Sequence, residues 1–246
     1  MKHIFSALIG LGIILSSTSF VSASSLVWND KDAHKCIWSA GYRYSENLWK
    51  CIRPWELYTI KNNSVSTGNK RLDAMITQKI GKITQSFQKD AEWLIRELWL
   101  TGTTGYELQI DTTLVQTGNT ISALVETYSY LGWAHGQSLN YTWNYDGKKN
   151  KLLFLSNIVS RKELGVISKN IENFLIQELW DNIDIDWIRE GLSVKKLSNF
   201  GIFTLQTDDS GRPQFIEFHF ADYQVGPHAI GMPVVKIRLG TLDIVK

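Results

Sequence analysis

The chain has 246 residues, a formal charge of +2 and a hydrophobic content of 43%. Its abundant aromatic residues and modest charged content exclude a largely disordered protein. A net charge so close to zero argues against a nucleic-acid binder, which would normally carry a basic face. The length suffices for one sizeable domain with its own core, or for a small module followed by a domain.

The first 23 residues have the succession of positive, apolar and small residues that is typical of a cleavable secretory signal. A short positive start at Lys2 precedes an apolar run over residues 4–15, and small residues then lead to Ala23. The apolar run is shorter than the roughly 20 residues that a membrane span needs, which favours cleavage over anchoring. We therefore expect a protein that acts outside the cytoplasm, secreted or periplasmic.

Residues 24–60 form a segment that is rich in aromatic side chains. It contains both cysteines of the chain, Cys36 and Cys51, and two nearby cysteines in an exported protein most simply form one disulfide. The segment resembles a short two-cysteine motif of exported bacterial proteins. Its rings either pack on the following domain or contact a partner, and the candidate contact residues are Trp38, Tyr42 and Trp49.

Residues 61–246 predict one α+β domain. After a polar linker at residues 61–69, apolar residues between Leu72 and Leu98 recur at spacings of three, four and seven, which predicts an amphipathic helix. The period then changes to two over residues 106–146. That alternation, interrupted by glycine-containing turns, predicts a three-stranded antiparallel meander.

The second half of the domain predicts a helix, a hairpin and a last strand. Ser160 and Glu163 have the spacing of a capping box, so a helix is expected to begin there. A short helix around residues 185–191 is expected before a hairpin over residues 200–220. With a final strand at residues 234–239, we expect a mostly antiparallel sheet with the two main helices on one face.

Two segments carry a resemblance to a known family of extracytoplasmic domains. The first contains Gly132-Trp133-Ala134-His135-Gly136, and the second contains Tyr223-Gln224-Val225-Gly226-Pro227-His228-Ala229-Ile230-Gly231. In this order, with a helix between them, they resemble the domain shared by RsiV-type anti-sigma factors and PdaC-type peptidoglycan deacetylases. The resemblance covers residues 65–240, and Trp133 and His228 depart from the residues that are common in that family.

The resemblance implies a sensing or binding domain at the cell envelope. The anti-sigma members of the family sense lysozyme through this domain, which makes a lysozyme-like protein a possible ligand. We find no segment that resembles the anti-sigma or deacetylase parts of those proteins. The expected partner is therefore an envelope protein or the glycan of peptidoglycan.

The histidines are interpreted first as structural residues. His135 lies between Gly132 and Gly136, where its ring is expected to bond backbone carbonyls and the glycines to supply backbone angles that other residues avoid. We expect no metal and no other cofactor. No metal-binding spacing supports the zinc site that four residues could form, namely His135, His219, His228 and Asp222.

The loop over residues 223–232 is the second candidate contact region. Pro227 and Gly231 make it either a rigid crossover that places the last strand or a rim for a partner, with Tyr223, His228 and Met232 as contact residues. The leading interpretation is a non-enzymatic binding domain. The alternatives are a cell-wall hydrolase or deacetylase with a scattered His/Asp metal site, and a structural envelope protein.

Overall fold

The computed structural model describes residues 31–37, 39–45, 50–53, 57–97, 105–178 and 184–245. The predicted signal peptide at residues 1–23 and the candidates Trp38 and Trp49 lie outside the described residues. The helices are α1 (Lys70–Glu97), α2 (Arg161–Glu178) and α3 (Ile185–Gly191). The strands are β1 (Arg43–Ser45), β2 (Lys50–Ile52), β3 (Tyr58–Asn63), β4 (Tyr106–Thr117), β5 (Thr120–Tyr130), β6 (Gln137–Asp146), β7 (Lys151–Leu152), β8 (Phe203–Thr207), β9 (Pro213–His219), β10 (Val234–Arg238) and β11 (Asp243–Val245).

The first sheet has the strand order β3-β4-β5-β6-β7. Strands β4, β5 and β6 form the antiparallel meander that the alternating pattern predicts. Strand β3 pairs with β4 in parallel, with Tyr58 opposite Tyr106. The polar residues at 61–63 therefore belong to this edge strand and not to a linker, and β3 crosses the domain boundary that was expected after residue 60.

Helix α1 covers one face of the first sheet. The Asn69 side chain accepts hydrogen bonds from the backbone N–H groups of Arg71 and Leu72, at 3.1 and 3.0 Å, and so satisfies two donors at the start of the helix. The apolar stripe of the helix is buried against alternate residues of β4 and β5. This core includes Leu72, Ile76, Ile80, Phe87, Leu94, Leu108, Ile110, Ala123 and Val125.

The second sheet has the order β11-β10-β9-β8 and is antiparallel throughout. Helix α2 packs on it, and the predicted capping box is confirmed at its start. Glu163 Oε2 accepts from the Ser160 N–H at 2.7 Å, and Ser160 Oγ accepts from the Glu163 N–H at 3.2 Å. The core beneath α2 includes Leu164, Ile167, Ile171, Leu175, Leu205, Ile216, Phe218 and Ile237.

The expected α+β class with mostly antiparallel strands is confirmed, but the strands are divided between two sheets. Each sheet carries its own main helix, α1 on the first and α2 on the second. The division follows from the side chains on the face of the first sheet that α1 leaves open. These include buried Ser122 and Asn144, whose polar groups need hydrogen-bond partners that an apolar helix face does not offer.

Strand β8, at the edge of the second sheet, supplies those partners by lying against the open face of the first sheet. Ser122 Oγ accepts from the Leu205 N–H at 2.8 Å and lies 3.0 Å from the Leu205 carbonyl oxygen. The Asn144 side-chain amide donates to the Phe203 carbonyl at 2.9 Å. Thr117 Oγ1 accepts from the backbone N–H of residue 207 at 2.8 Å, so the edge of β8 is bonded to side chains along its length.

The predicted disulfide between Cys36 and Cys51 is confirmed. It ties residue 36 to β2, which forms a two-stranded hairpin with β1. Ile52, the last residue of β2, belongs to the core beneath α1, so the segment is packed on the domain at this point. None of the helices in the described part of the chain has the length and apolar character that crossing a bilayer requires.

Candidate functional site

Two connections of the fold meet at one cleft. The first is the β5–β6 connection, residues 131–136, and the second is the β9–β10 connection, residues 220–233. The cleft between them has a volume of about 390 Å³. Residues 133 and 135–139 line one side, and residues 221–223 line the other. Both segments that carry the family resemblance therefore contribute to the same concave surface.

Three rings stack at the cleft. The rings of His135 and His228 lie face to face, with centroids 4.2 Å apart and an angle of 20° between their planes. The Tyr223 ring is nearly parallel to that of His228, at 5.8 Å and 25°. The Tyr223 hydroxyl also lies 3.1 Å from Nε2 of His135, which joins the two connections directly.

The hydrogen bonds assign the proton on each imidazole. Nδ1 of His135 lies 2.8 Å from the Gly136 carbonyl oxygen, which can only accept, so Nδ1 carries a proton. In the neutral ring, Nε2 of His135 then accepts from the Tyr223 hydroxyl. Nδ1 of His228 lies 2.7 Å from Oδ2 of Asp222, so this nitrogen is also the donor toward a carboxylate.

Asp222 is the most enclosed polar group of the cluster. Its side chain is 11% exposed, whereas that of His228 is 45% exposed. One carboxylate oxygen, Oδ2, accepts from His228, while Oδ1 is buried and has no hydrogen-bond partner within the described residues. A buried acceptor without a donor lowers stability by about 1–3 kcal/mol. Asp222, which lines the cleft, therefore carries one acceptor that is not satisfied among the described residues.

The backbone at Tyr223 is held in a strained conformation. Its φ of 60° lies in the left-handed region, which bulky residues rarely adopt. The indole N–H of Trp187 on α3 donates to the Tyr223 carbonyl at 3.0 Å. The neighbouring Gln224 amide donates to the carbonyls of Gly191 and Asn199, both at 2.9 Å. These bonds fix the loop to α3 and position the Tyr223 ring.

The glycines of the two connections have different roles. Gly132, with φ at 84°, supplies the backbone angle expected of it, and Gly231 has φ at 69°. Gly136 has no positive φ, so the expected reason for a glycine there is wrong. A Cβ at Gly136 would lie 2.2 Å from the Tyr128 ring, so close packing of that ring requires the glycine.

The structure places the other candidate residues as follows. His135, expected to be structural, is exposed and belongs to the ring cluster together with the candidates Tyr223 and His228. Met232 is half-buried and lies beyond the short helical turn formed by residues 228–230, which begins after Pro227. Tyr42 lies in the N-terminal segment, with the guanidinium carbon of Arg53 5.0 Å from its ring centroid.

The zinc site considered from the sequence is not assembled. His219 lies buried at the end of β9, with Nε2 3.4 Å from Oε1 of Glu217. Across the residues that the structure describes, no group of three or more histidine, cysteine, aspartate or glutamate side chains could hold a metal ion. The contacts within the cluster at the cleft are hydrogen bonds and ring stacking among His135, Asp222, Tyr223 and His228.

Sequence reasoning did not select two aromatic residues beside the cleft. Trp133, which was noted only as a departure from the family pattern, is 67% exposed and lines the cleft. Trp187 on α3 is 37% exposed and bonds the Tyr223 backbone. The presence of ten tryptophans in the chain gave no means of distinguishing these two from the rest.

The chain is similar in sequence to the peptidoglycan-N-acetylmuramic acid deacetylase PdaC of Bacillus subtilis (strain 168). The two are 29% identical over 184 residues, which cover 72% of this chain and 37% of the deacetylase. The chain thus spans little more than a third of that protein's length. No protein-family model matches the chain.

Two solved structures resemble the fold. One is a DUF3298 family protein of Pseudomonas aeruginosa, with a TM-score of 0.49 and 17% identity over 71% of this chain and 78% of that one. The other is a member of the same family from Bacteroides fragilis, with a TM-score of 0.44 and 15% identity over 73% of this chain and 71% of that one.

Proposed function

We propose that this chain is an extracytoplasmic domain of the cell envelope that binds the glycan of peptidoglycan at the cleft. The similarity to a deacetylase whose name specifies peptidoglycan supports this choice of ligand. The Cys36–Cys51 disulfide supports an oxidising compartment outside the cytoplasm. The observation that carries the proposal is the cleft itself, which is lined by exposed Trp133 and by His135, whose ring stacks on that of His228.

The chemistry of the cleft fits a sugar. A pyranose ring presents an apolar face that can pack on an aromatic side chain, and hydroxyl and amide groups around its rim. Trp133 offers such a surface, and its large exposed ring is otherwise unfavourable in water. Asp222 also lines the cleft and its Oδ1 lacks a donor among the described residues, so a small shift of the side chains that enclose it would let a sugar hydroxyl or acetamido N–H donate to it.

A retention assay on purified peptidoglycan sacculi tests the proposal. The parent chain should sediment with the sacculi, and Trp133→Ala and His228→Ala should each weaken retention by about tenfold or more. Trp93→Ala is the matched control, because Trp93 is also an exposed tryptophan but lies on α1 and outside the cleft lining. Equal retention of all variants, or no retention of the parent, would overturn the proposal.

Capture by immobilised lysozyme, run in parallel, distinguishes the two ligands considered from the sequence. Binding to lysozyme without binding to sacculi would replace the glycan with a protein partner. If that binding were also lost in Trp133→Ala and kept in Trp93→Ala, the cleft would remain the contact surface.

A second candidate function, a wall-active hydrolase or deacetylase, is favoured by the Asp222–His228 pair. A carboxylate that fixes Nδ1 of a histidine is the arrangement in which Nε2 can act as a general base. Incubation of sacculi with the chain would then release acetate or new reducing ends, and His228→Gln would abolish that release. If the parent chain releases neither acetate nor new reducing ends from the sacculi, this candidate is excluded.

A further inference from the structure

We infer that the ligand surface continues from the cleft across Tyr223 onto α3, with Trp187 as a further contact, so that the preferred ligand is a glycan strand of several sugars. This inference rests on the proposed function and specifies the length of the ligand. A cleft of about 390 Å³ would by itself hold little more than one or two sugars.

Trp187 lies directly beside the rim of the cleft. Its indole N–H donates to the Tyr223 carbonyl at 3.0 Å, while its side chain remains 37% exposed. Tyr223 is 47% exposed and reaches His135 with its hydroxyl. Trp133 and Tyr223 thus line the same cleft, and Trp187 is bonded to the backbone of Tyr223, so three exposed aromatic side chains lie along one surface from the cleft to α3.

The part of this surface formed by the Tyr223 loop and α3 is fixed before a ligand arrives. The Gln224 side chain donates to two backbone carbonyls outside its own loop. Trp187, on α3, donates to the Tyr223 carbonyl within that loop. Gly191 at the end of α3 allows the loop to approach, because a Cβ there would lie 2.0 Å from the Gln224 carbonyl oxygen. Little ordering is then required on binding, and such preorganisation favours affinity. The strain at Tyr223 is maintained by the same contacts.

A strand with a repeating sugar backbone matches this arrangement better than a compact ligand does. Each of the three exposed aromatic side chains can pack against the apolar face of a different sugar, and aromatic side chains commonly dominate binding energy. A ligand of one or two sugars would fill the cleft and leave Trp187 without a contact. Affinity should therefore increase with the number of sugars, and the increase should depend on Trp187.

Calorimetric titration with peptidoglycan glycan strands, stripped of peptides and separated into disaccharides, tetrasaccharides and hexasaccharides, tests this. The parent should bind the hexasaccharide at least about tenfold more tightly than the disaccharide. Trp187→Ala should remove that gain, and its disaccharide affinity should equal that of Trp187→Phe, because both variants lack the N–H donor to the Tyr223 carbonyl. Trp187→Phe, which keeps a ring but loses the N–H donor, should retain part of the gain. Trp93→Ala should match the parent.

Three outcomes would overturn the inference. Equal affinity of the parent for short and long strands would remove the extension onto α3 and leave the proposed function standing. If Trp187→Ala and Trp187→Phe lowered the affinity for the disaccharide and for the hexasaccharide by the same factor, Trp187 would only support the position of Tyr223. Retention of the parent on sacculi without binding to any stripped strand would move the ligand from the glycan to the peptides and, like a lack of retention on sacculi, would contradict the proposed function itself.

Discussion

The Tyr223 hydroxyl lies 3.1 Å from Nε2 of His135, and this contact joins two connections that are 88 residues apart in the sequence. His135 lies in the β5–β6 connection, and Tyr223 lies in the β9–β10 connection that faces it. Both side chains are exposed, so water competes for the same groups when the contact opens. The contact therefore organises the surface of the cleft more than it stabilises the fold.

Tyr223→Phe tests this relationship because it removes the hydroxyl and keeps the ring. The free energy of unfolding should change by less than about 1 kcal/mol, since the hydrogen bond is exposed. Affinity for glycan should fall by several-fold as the His135 ring loses its fixed orientation. Urea unfolding and calorimetric titration on the same preparation check both. A large stability loss with unchanged affinity would assign the contact to the fold instead.

Ser122→Ala should destabilise the junction between the two sheets. The substitution removes the acceptor of the Leu205 N–H and leaves that buried donor without a partner, which costs about 1–3 kcal/mol. Urea unfolding of Ser129→Ala is the control, since Ser129 is a half-buried residue of the same strand. Equal stability of the two variants would show that the junction does not depend on the Ser122 hydroxyl.

The same substitution should have opposite effects at two helical glycines. At Gly81 on α1 an added Cβ meets nothing within 4 Å, so Gly81→Ala should raise the free energy of unfolding by about 0.5–1 kcal/mol through helix propensity. At Gly191 the Cβ would lie 2.0 Å from the Gln224 carbonyl oxygen, so Gly191→Ala should destabilise the protein and displace the Tyr223 loop. Thermal unfolding with a shift in the same direction for both variants would contradict this.

Asp208, in the β8–β9 turn, should titrate at a lower pH than an ordinary aspartate. Hydrogen bonds from the Ser210 hydroxyl and then the Arg212 backbone lower the pKa of this carboxyl from its ordinary value of 3.8 to about 2. Because the folded-state pKa is the lower one, the stabilising contribution is complete above about pH 4 and is lost as the pH falls through about 2.

Side-chain carboxyl NMR shifts measured against pH check the titration directly. Asp208→Asn should reduce the loss of stability between about pH 4 and pH 2. Asp209→Asn, which changes the neighbouring carboxyl, serves as the comparison. An ordinary titration midpoint for Asp208 would show that the turn network does not hold its charge.

Local patterns predicted the elements whose causes lie within a few residues. The stripe that begins at Leu72 gave α1, and the spacing of Ser160 and Glu163 gave the start of α2. The short helix expected around residues 185–191 is α3, and Asp184 accepts from the backbone N–H of Asp186 at its start. In each case the capping hydrogen bond or the apolar stripe involves residues only a few positions apart, so the sequence alone is enough to predict it.

The division into two sheets depends on contacts that no local pattern encodes. The bond between Ser122 and Leu205 joins residues 83 apart, and a serine in an alternating strand gives no sign of such a partner. The same holds for the cleft. His135, Tyr223 and His228 were each selected from the sequence, but their stacking arises only when the two connections meet.

The bonding of β8 to the face of the first sheet has a consequence for how the protein behaves at high concentration. An exposed edge strand is a template for pairing with other chains and so promotes aggregation. Ser122 and Asn144 occupy the backbone groups of β8 that would otherwise accept such a strand. The opposite edge of the sheet is β11, which is only three residues long. Cutting the chain between the two sheets would uncover the β8 edge, so the halves are expected to aggregate when they are produced separately.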